Sequence, residues 1–217
     1  MRVREIDILI VPGWTGSGPD HWQTRWESKL STARRVDQSD WETPRIADWV
    51  ERIVAAVEAA TRPAVIVAHS CGVTATVAAA PRLAGKLAGA FLVAPADLVG
   101  HDLWPATHGG FAPLPMHTLP FPAKLIGSST DPYCTLERAH ELGAAWGADV
   151  SIIAGAGQIN IESGHGPWPE GILTFGLFLK KLSRLYLLDQ RIPNVTLSLP
   201  SIRLGADHGG QISCSSE

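Results

Sequence analysis

The segment Val65-Ile66-Val67-Ala68-His69-Ser70-Cys71-Gly72 constrains the fold of this chain more than any other eight residues. A β-branched run empties into a serine flanked by small residues, and an Ala/Val-rich stretch of helical character follows. This is the sequence form of a nucleophile elbow, a sharp strand-to-helix turn that exposes one hydroxyl above the end of a parallel sheet. The usual pattern is G-x-S-x-G. Here Ala68 fills the first small position and Gly72 the second, because so tight a turn leaves little room beside the serine. The flanking strand and helix matter as much as the five-residue pattern, which also occurs by chance.

The rest of the chain agrees with a parallel sheet. Apolar runs near 5–11, 33–37, 64–69, 89–94, 123–128 and 149–154 read as six strands. Helical patterns fall between them near 19–30, 44–60, 71–80, 135–146 and 169–187, which predicts an α/β three-layer sandwich with helices on both faces. In the second helix, Ile46, Trp49, Val50, Ile53, Val54 and Val57 form one stripe, with Thr43 as the expected cap and Pro44 at the first position. Residues 95–120 carry five prolines, Trp104 and Gly109-Gly110, and read as a long ordered loop capping a pocket. Residues 1–188 are expected to form one hydrolase-like domain, and 189–217 an irregular tail without a part in the chemistry.

Bulk properties exclude several classes. At 217 residues, 45% hydrophobic and 18% charged, the chain is expected to be globular with one core. A net charge of −3 with scattered Lys and Arg gives no nucleic-acid or membrane-binding face. No apolar run is long enough to cross a bilayer, and Met1-Arg2-Val3-Arg4-Glu5 leads into a strand without a signal-peptide h-region. Cys71, Cys134 and Cys214 are an odd number without C-x-x-C spacing, so a reduced, cytoplasmic protein is expected.

A serine hydroxyl is a weak nucleophile at neutral pH and needs a base, an orienting acid and a site for the oxyanion. On this kind of sheet the chain order is Ser, acid, His. Asp131 follows the strand ending at Gly127 and the run Ser128-Ser129-Thr130, which places it on the same rim as Ser70. A helix-capping role for Asp131 is the alternative, although Thr135 is better placed to cap. The oxyanion donors are expected to be the amides of Cys71 and of Trp14 in the loop Pro12-Gly13-Trp14-Thr15-Gly16-Ser17-Gly18-Pro19, unless that loop only makes a turn. Cys71 is displaced from the apex and His69 projects away from Ser70, so neither is the favoured nucleophile or base. Chain order leaves His165, in the loop after the last strand, as the candidate base. His101, Asp102, His108 and His117 lack metal-ligand spacing, and no metal or cofactor is expected. Trp14, Trp22, Trp104 and Trp168 suggest a partly aromatic pocket.

Taken together, Val11-Pro-Gly-Trp14, Ser17-Gly-Pro19 with His21-Trp22-Gln23, Ala68-His-Ser-Cys-Gly72, Val93-Ala-Pro-Ala-Asp97, Gly110-Phe-Ala-Pro113, Ser129-Thr-Asp-Pro-Tyr-Cys134, Glu162-Ser-Gly164 and Gly166-Pro-Trp-Pro-Glu170 resemble the RBBP9/YdeN-like small serine hydrolases. The resemblance runs from about residue 5 to 185. It implies a compact, six-stranded α/β-hydrolase fold with Ser70 as nucleophile and Asp131 as triad acid. It also implies a histidine base within Gly157-Gln158-Ile159-Asn160, where this chain has Gln158 instead. A glutamine amide holds a hydrogen-bond position but takes no proton.

Two functions are therefore expected to compete. One is an esterase-like hydrolase that cleaves a small ester, thioester or amide through an acyl-enzyme on Ser70, with His165 replacing the missing base. The other is a hydrolase-fold binding or interaction protein with an impaired triad. The expected partner is a small-molecule ester, thioester or amide substrate, and the chain is expected to be a monomer or homodimer.

Overall fold

The computed structural model describes residues 1–189. The expected tail lies outside the described residues except for Asp189. Six strands form one parallel sheet: β1 (Asp7–Val11), β2 (Ala33–Arg35), β3 (Ala64–Ser70), β4 (Leu87–Pro95), β5 (Ala123–Ser128) and β6 (Asp149–Ile153), in the order β2-β1-β3-β4-β5-β6. The helices are α1 (Trp22–Lys29), α2 (Ile46–Glu58), α3 (Cys71–Ala79), α4 (Trp104–Thr107), α5 (Leu136–Trp146) and α6 (Pro169–Asp189). Among the described residues, no helix is long and apolar enough to cross a membrane.

Alternation along the central strands sends successive side chains to opposite faces. Leu9, Val11, Ile66, Ala68, Leu92 and Leu125 pack on one side with α2, α3 and α5. Ile8, Ile10, Val65, Val67, Phe91 and Val93 pack on the other with Trp22 and Trp26 of α1 and Phe175, Phe178, Leu179 and Leu182 of α6. Both faces of β3 are thus covered, which explains its unbroken apolar run. Burying each large apolar side chain contributes about 1.5–3 kcal/mol. That packing lets the middle of the sheet hold a strained turn at its carboxyl end.

Three local expectations need correction. Helix α2 starts at Ile46 with Arg45 as its cap residue, because the Asp40 carboxylate takes the Thr43 amide at 2.8 Å and the Thr43 hydroxyl at 2.5 Å. Thr43 is consumed by that turn and Pro44 stays outside the helix; the Gly109 carbonyl satisfies the Ile46 amide instead. Helix α1 begins three residues after Pro19, at Trp22, where the His21 ring caps it by accepting from the Gln23 amide at 3.2 Å. The segment 95–120 is not wholly a loop: it contains α4 and a cis Ala112–Pro113 bond. Two short 3-10 turns, Val3–Glu5 and Ala80–Leu83, complete the elements.

Candidate active site

Ser70 ends β3 and precedes the first residue of α3, with φ 54° and ψ −125°. Non-glycine residues avoid this region, so the conformation persists only because the surrounding structure over-determines it. Two glycines permit the turn. A Cβ on Gly72 would lie 2.4 Å from the Pro12 carbonyl oxygen, and one on Gly13 would lie 2.7 Å from the Ser70 Cβ. The remaining non-glycine residues with positive φ are Thr15, Ala94, Ile159 and Trp168. Thr15 lies in the loop after β1, Ala94 is the penultimate residue of the adjacent strand, and Ile159 follows Gln158, so all of these but Trp168 lie close in sequence to the site's own segments.

Gln158 links Ser70 to Asp131. Its Nε2 donates to both carboxylate oxygens of Asp131, at 3.0 and 2.9 Å, and approaches the Ala94 carbonyl at 3.3 Å. Its Oε1 faces the Ser70 hydroxyl at 3.5 Å. Its own carbonyl oxygen accepts from His69 Nε2 at 2.8 Å. The acid and the Gln158 loop are stitched together by three consecutive hydroxyls on the β5 side. Ser129, Ser128 and Thr130 accept from the amides of Gly155, Ala156 and Gly157 respectively, at 3.0 to 3.1 Å. The Asp131 carboxylate also accepts from the Tyr133 amide at 2.9 Å. Thr135, not Asp131, caps α5. Burial outweighs these bonds and raises the Asp131 carboxyl to about 6.

The loop after β1 lies over this line. Gln23, fully buried on α1, donates to the carbonyls of Val11 and Val67 at 3.2 and 3.1 Å and accepts from the Ser17 hydroxyl at 2.7 Å. It thereby ties the loop to β1 and β3. The Trp14 ring donates to the Glu42 carbonyl at 2.9 Å. The Cys71 thiol is raised to about 11 by burial, against the opposing pull of the Trp14 amide and the Ser70 hydroxyl, so these groups lie together. Cys71 stays a neutral thiol, and its amide opens α3, where helix geometry leaves it without an intrahelical acceptor. Sequence reasoning missed the roles of Gln23 and of the Ser-Ser-Thr run; a glutamine next to the buried Trp22 was the available signal for the first.

No described histidine occupies a base position. His21 Nδ1 accepts from the Gln23 amide, so its ring proton sits on Nε2, and burial followed by the neighbouring His69 and Arg35 lowers it to about 2. His69 is lowered to about 4, its burial outweighing the Gln158 carbonyl. His165 is not brought to Ser70. The segment from Asn160 to His165 closes on itself: the His165 amide donates to the Asn160 carbonyl at 2.8 Å, and its Nδ1 lies 3.2 Å from the Ser163 hydroxyl. The His165 ring instead lines a second cavity, beside Ser151, Ile153, Trp168 and Glu170. His208 lies outside the described residues.

The cavity above Ser70 has a volume of about 530 Å³. Its lining mixes apolar side chains, Trp14, Leu98, Leu103 and Tyr133, with polar ones, His21, Asn160, Glu162 and Ser163. Of the four tryptophans expected there, only Trp14 lines it. Trp22 and Trp168 are core, and the Trp104 ring donates to the Pro44 carbonyl at 3.2 Å.

A family profile described as serine hydrolase matches residues 8–176. A solved YdeN-like hydrolase from Pectobacterium atrosepticum is 27% identical, with a TM-score of 0.73 over 82% of this chain and 93% of that one. The ydeN gene product of B. subtilis is 17% identical, with a TM-score of 0.61 over 82% and 98%. Esterase 2 of Thermogutta terrifontis is 13% identical, with a TM-score of 0.62 over 84% and 86%. The last two likenesses carry the fold alone. No curated protein matches the sequence.

Proposed function

We propose, for a chain that belongs to the serine hydrolase family, that its esterase-like chemistry runs through an acyl-enzyme on Ser70. The substrate is a small ester, thioester or amide. Ser70 attacks the carbonyl carbon, the amides of Cys71 and Trp14 hold the oxyanion, and Asp131 fixes the Gln158 amide against the nucleophile. The observation that carries this reading is the hydrogen-bonded line Ser70–Gln158–Asp131, whose first two members line the cavity. Family membership favours hydrolysis over a purely binding role.

Gln158 sets the rate. It accepts a hydrogen bond from the serine but takes no proton, so the barrier is lowered only by binding and the oxyanion donors, roughly 10³–10⁴-fold over water. Acylation by an ester with a good leaving group lacks only a base. Deacylation lacks both a base for water and an acid for the departing serine oxygen, and it is the slower step. A fluorophosphonate probe is therefore expected to label the folded protein at Ser70, and Ser70→Ala to abolish the label. An activated nitrophenyl ester should give a stoichiometric burst followed by slow turnover. Absence of Ser70 labelling in folded protein would refute the assignment.

A further inference from the structure

We infer that the acyl group on Ser70 passes to a primary amine rather than to water, so that the protein is an acyl transferase toward amine acceptors. This rests on Ser70 being acylated as proposed above.

The orientation of Gln158 is the first ground. Its Nε2 makes three donor contacts, two to Asp131 and one to the Ala94 carbonyl. Flipping the amide would set its oxygen against a carboxylate and lose all three. The atom held toward Ser70 is thus a carbonyl oxygen. Water must surrender a proton as it attacks, and the Gln158 oxygen, the side-chain atom that faces the Ser70 hydroxyl, takes none. An unprotonated amine attacks with its own lone pair and holds its proton until the C–N bond has formed. The tetrahedral species then breaks its C–O bond to Ser70, and one of the protons on the now cationic nitrogen moves to the departing serine oxygen. An ester bond is exchanged for an amide, free Ser70 is regenerated, and no external base or redox partner is consumed.

The cavity is the second ground. Glu162 lines it with Asn160 and Ser163, and among the described residues no Lys or Arg lines it and Glu162 makes no ion pair. An unpaired carboxylate there attracts an acceptor that exchanges between ammonium and amine, and repels an anionic one. Trp14, Leu98 and Leu103 in the same lining suit an apolar acyl chain. A volume of about 530 Å³ has room for both.

The full-length protein is acylated with p-nitrophenyl butyrate, desalted, and followed by intact mass in buffer, methanol, ethylenediamine or taurine. Butyryl-Ser70 is expected to persist in buffer and methanol and to disappear in ethylenediamine with formation of the butyramide. The rate should track the free-base concentration and exceed that with taurine by roughly two- to fivefold, as expected for one exposed carboxylate. Glu162→Gln should erase that preference. Loss of the acyl group in buffer as fast as in amine, or persistence in every acceptor, overturns the inference and leaves acylation of Ser70 standing. An unchanged preference in Glu162→Gln overturns the role of the carboxylate. Failure of any ester to acylate Ser70 removes the parent reading and this one with it.

Discussion

Replacing Gln158 by histidine isolates the position on which turnover depends in the proposed mechanism. The amide nitrogen and oxygen of Gln158 are separated by one carbon, as the two ring nitrogens of histidine are, and both ends are already engaged. The nitrogen bonds Asp131 at 2.9 and 3.0 Å, and the oxygen faces Ser70 at 3.5 Å. An imidazole placed there donates to Asp131 and presents its other nitrogen to the serine. It also gives the buried carboxylate a cation to stabilise in the transition state, which the amide never does. Loss of a triad histidine costs on the order of 10⁶ in kcat. The serine contact is long, so a gain of roughly 10³–10⁵ in kcat/KM is expected, or about 4–7 kcal/mol. Steady-state hydrolysis of p-nitrophenyl butyrate measures it. The variant should also acquire a sigmoid rise in rate through the histidine's titration near neutrality, which the parent lacks. A parent that already shows triad-like turnover with that pH profile, and a variant within tenfold of it, would refute the reasoning and require another base.

Two further predictions concern stability. Ser70→Gly should raise urea resistance by about 1 kcal/mol, because glycine tolerates φ 54° and ψ −125°, whereas Ser70→Ala keeps the strain and should be near neutral; equal midpoints for the two variants would contradict this. The Asp131 carboxyl, raised from 3.8 to about 6, binds its proton more tightly folded than unfolded, so its contribution to stability declines as pH rises through that window. Asp131→Asn removes the ionisation. It should stabilise by roughly 1–2 kcal/mol at pH 8, less than the full shift implies because one acceptor oxygen is lost, with the gain gone below pH 4.

The sheet was legible because its signal is local. Ile8 and Ile10 against Leu9 and Val11, and Val65 and Val67 against Ile66 and Ala68, declare two buried faces by alternation alone. The turn at Ser70 was equally local, since Gly72 and the preceding strand are contiguous with it. What sequence reasoning could not reach depends on contacts across the chain. Gln23 acts on Val11 and Val67, and Ser128, Ser129 and Thr130 act on amides of the next loop. His165 shows the converse: its position in chain order suited a base, but hydrogen bonds within Asn160–His165 decide where the loop travels.

The hydroxyl run before Asp131 has a genetic consequence. Because main-chain amides on the neighbouring loop are gripped independently of what residue 158 carries, the scaffold does not need a histidine to remain in register. Glutamine and histidine codons differ only at their third base. A lineage bearing such a scaffold can therefore exchange fast hydrolysis for a slow, long-lived covalent state, and return, by one nucleotide change each way.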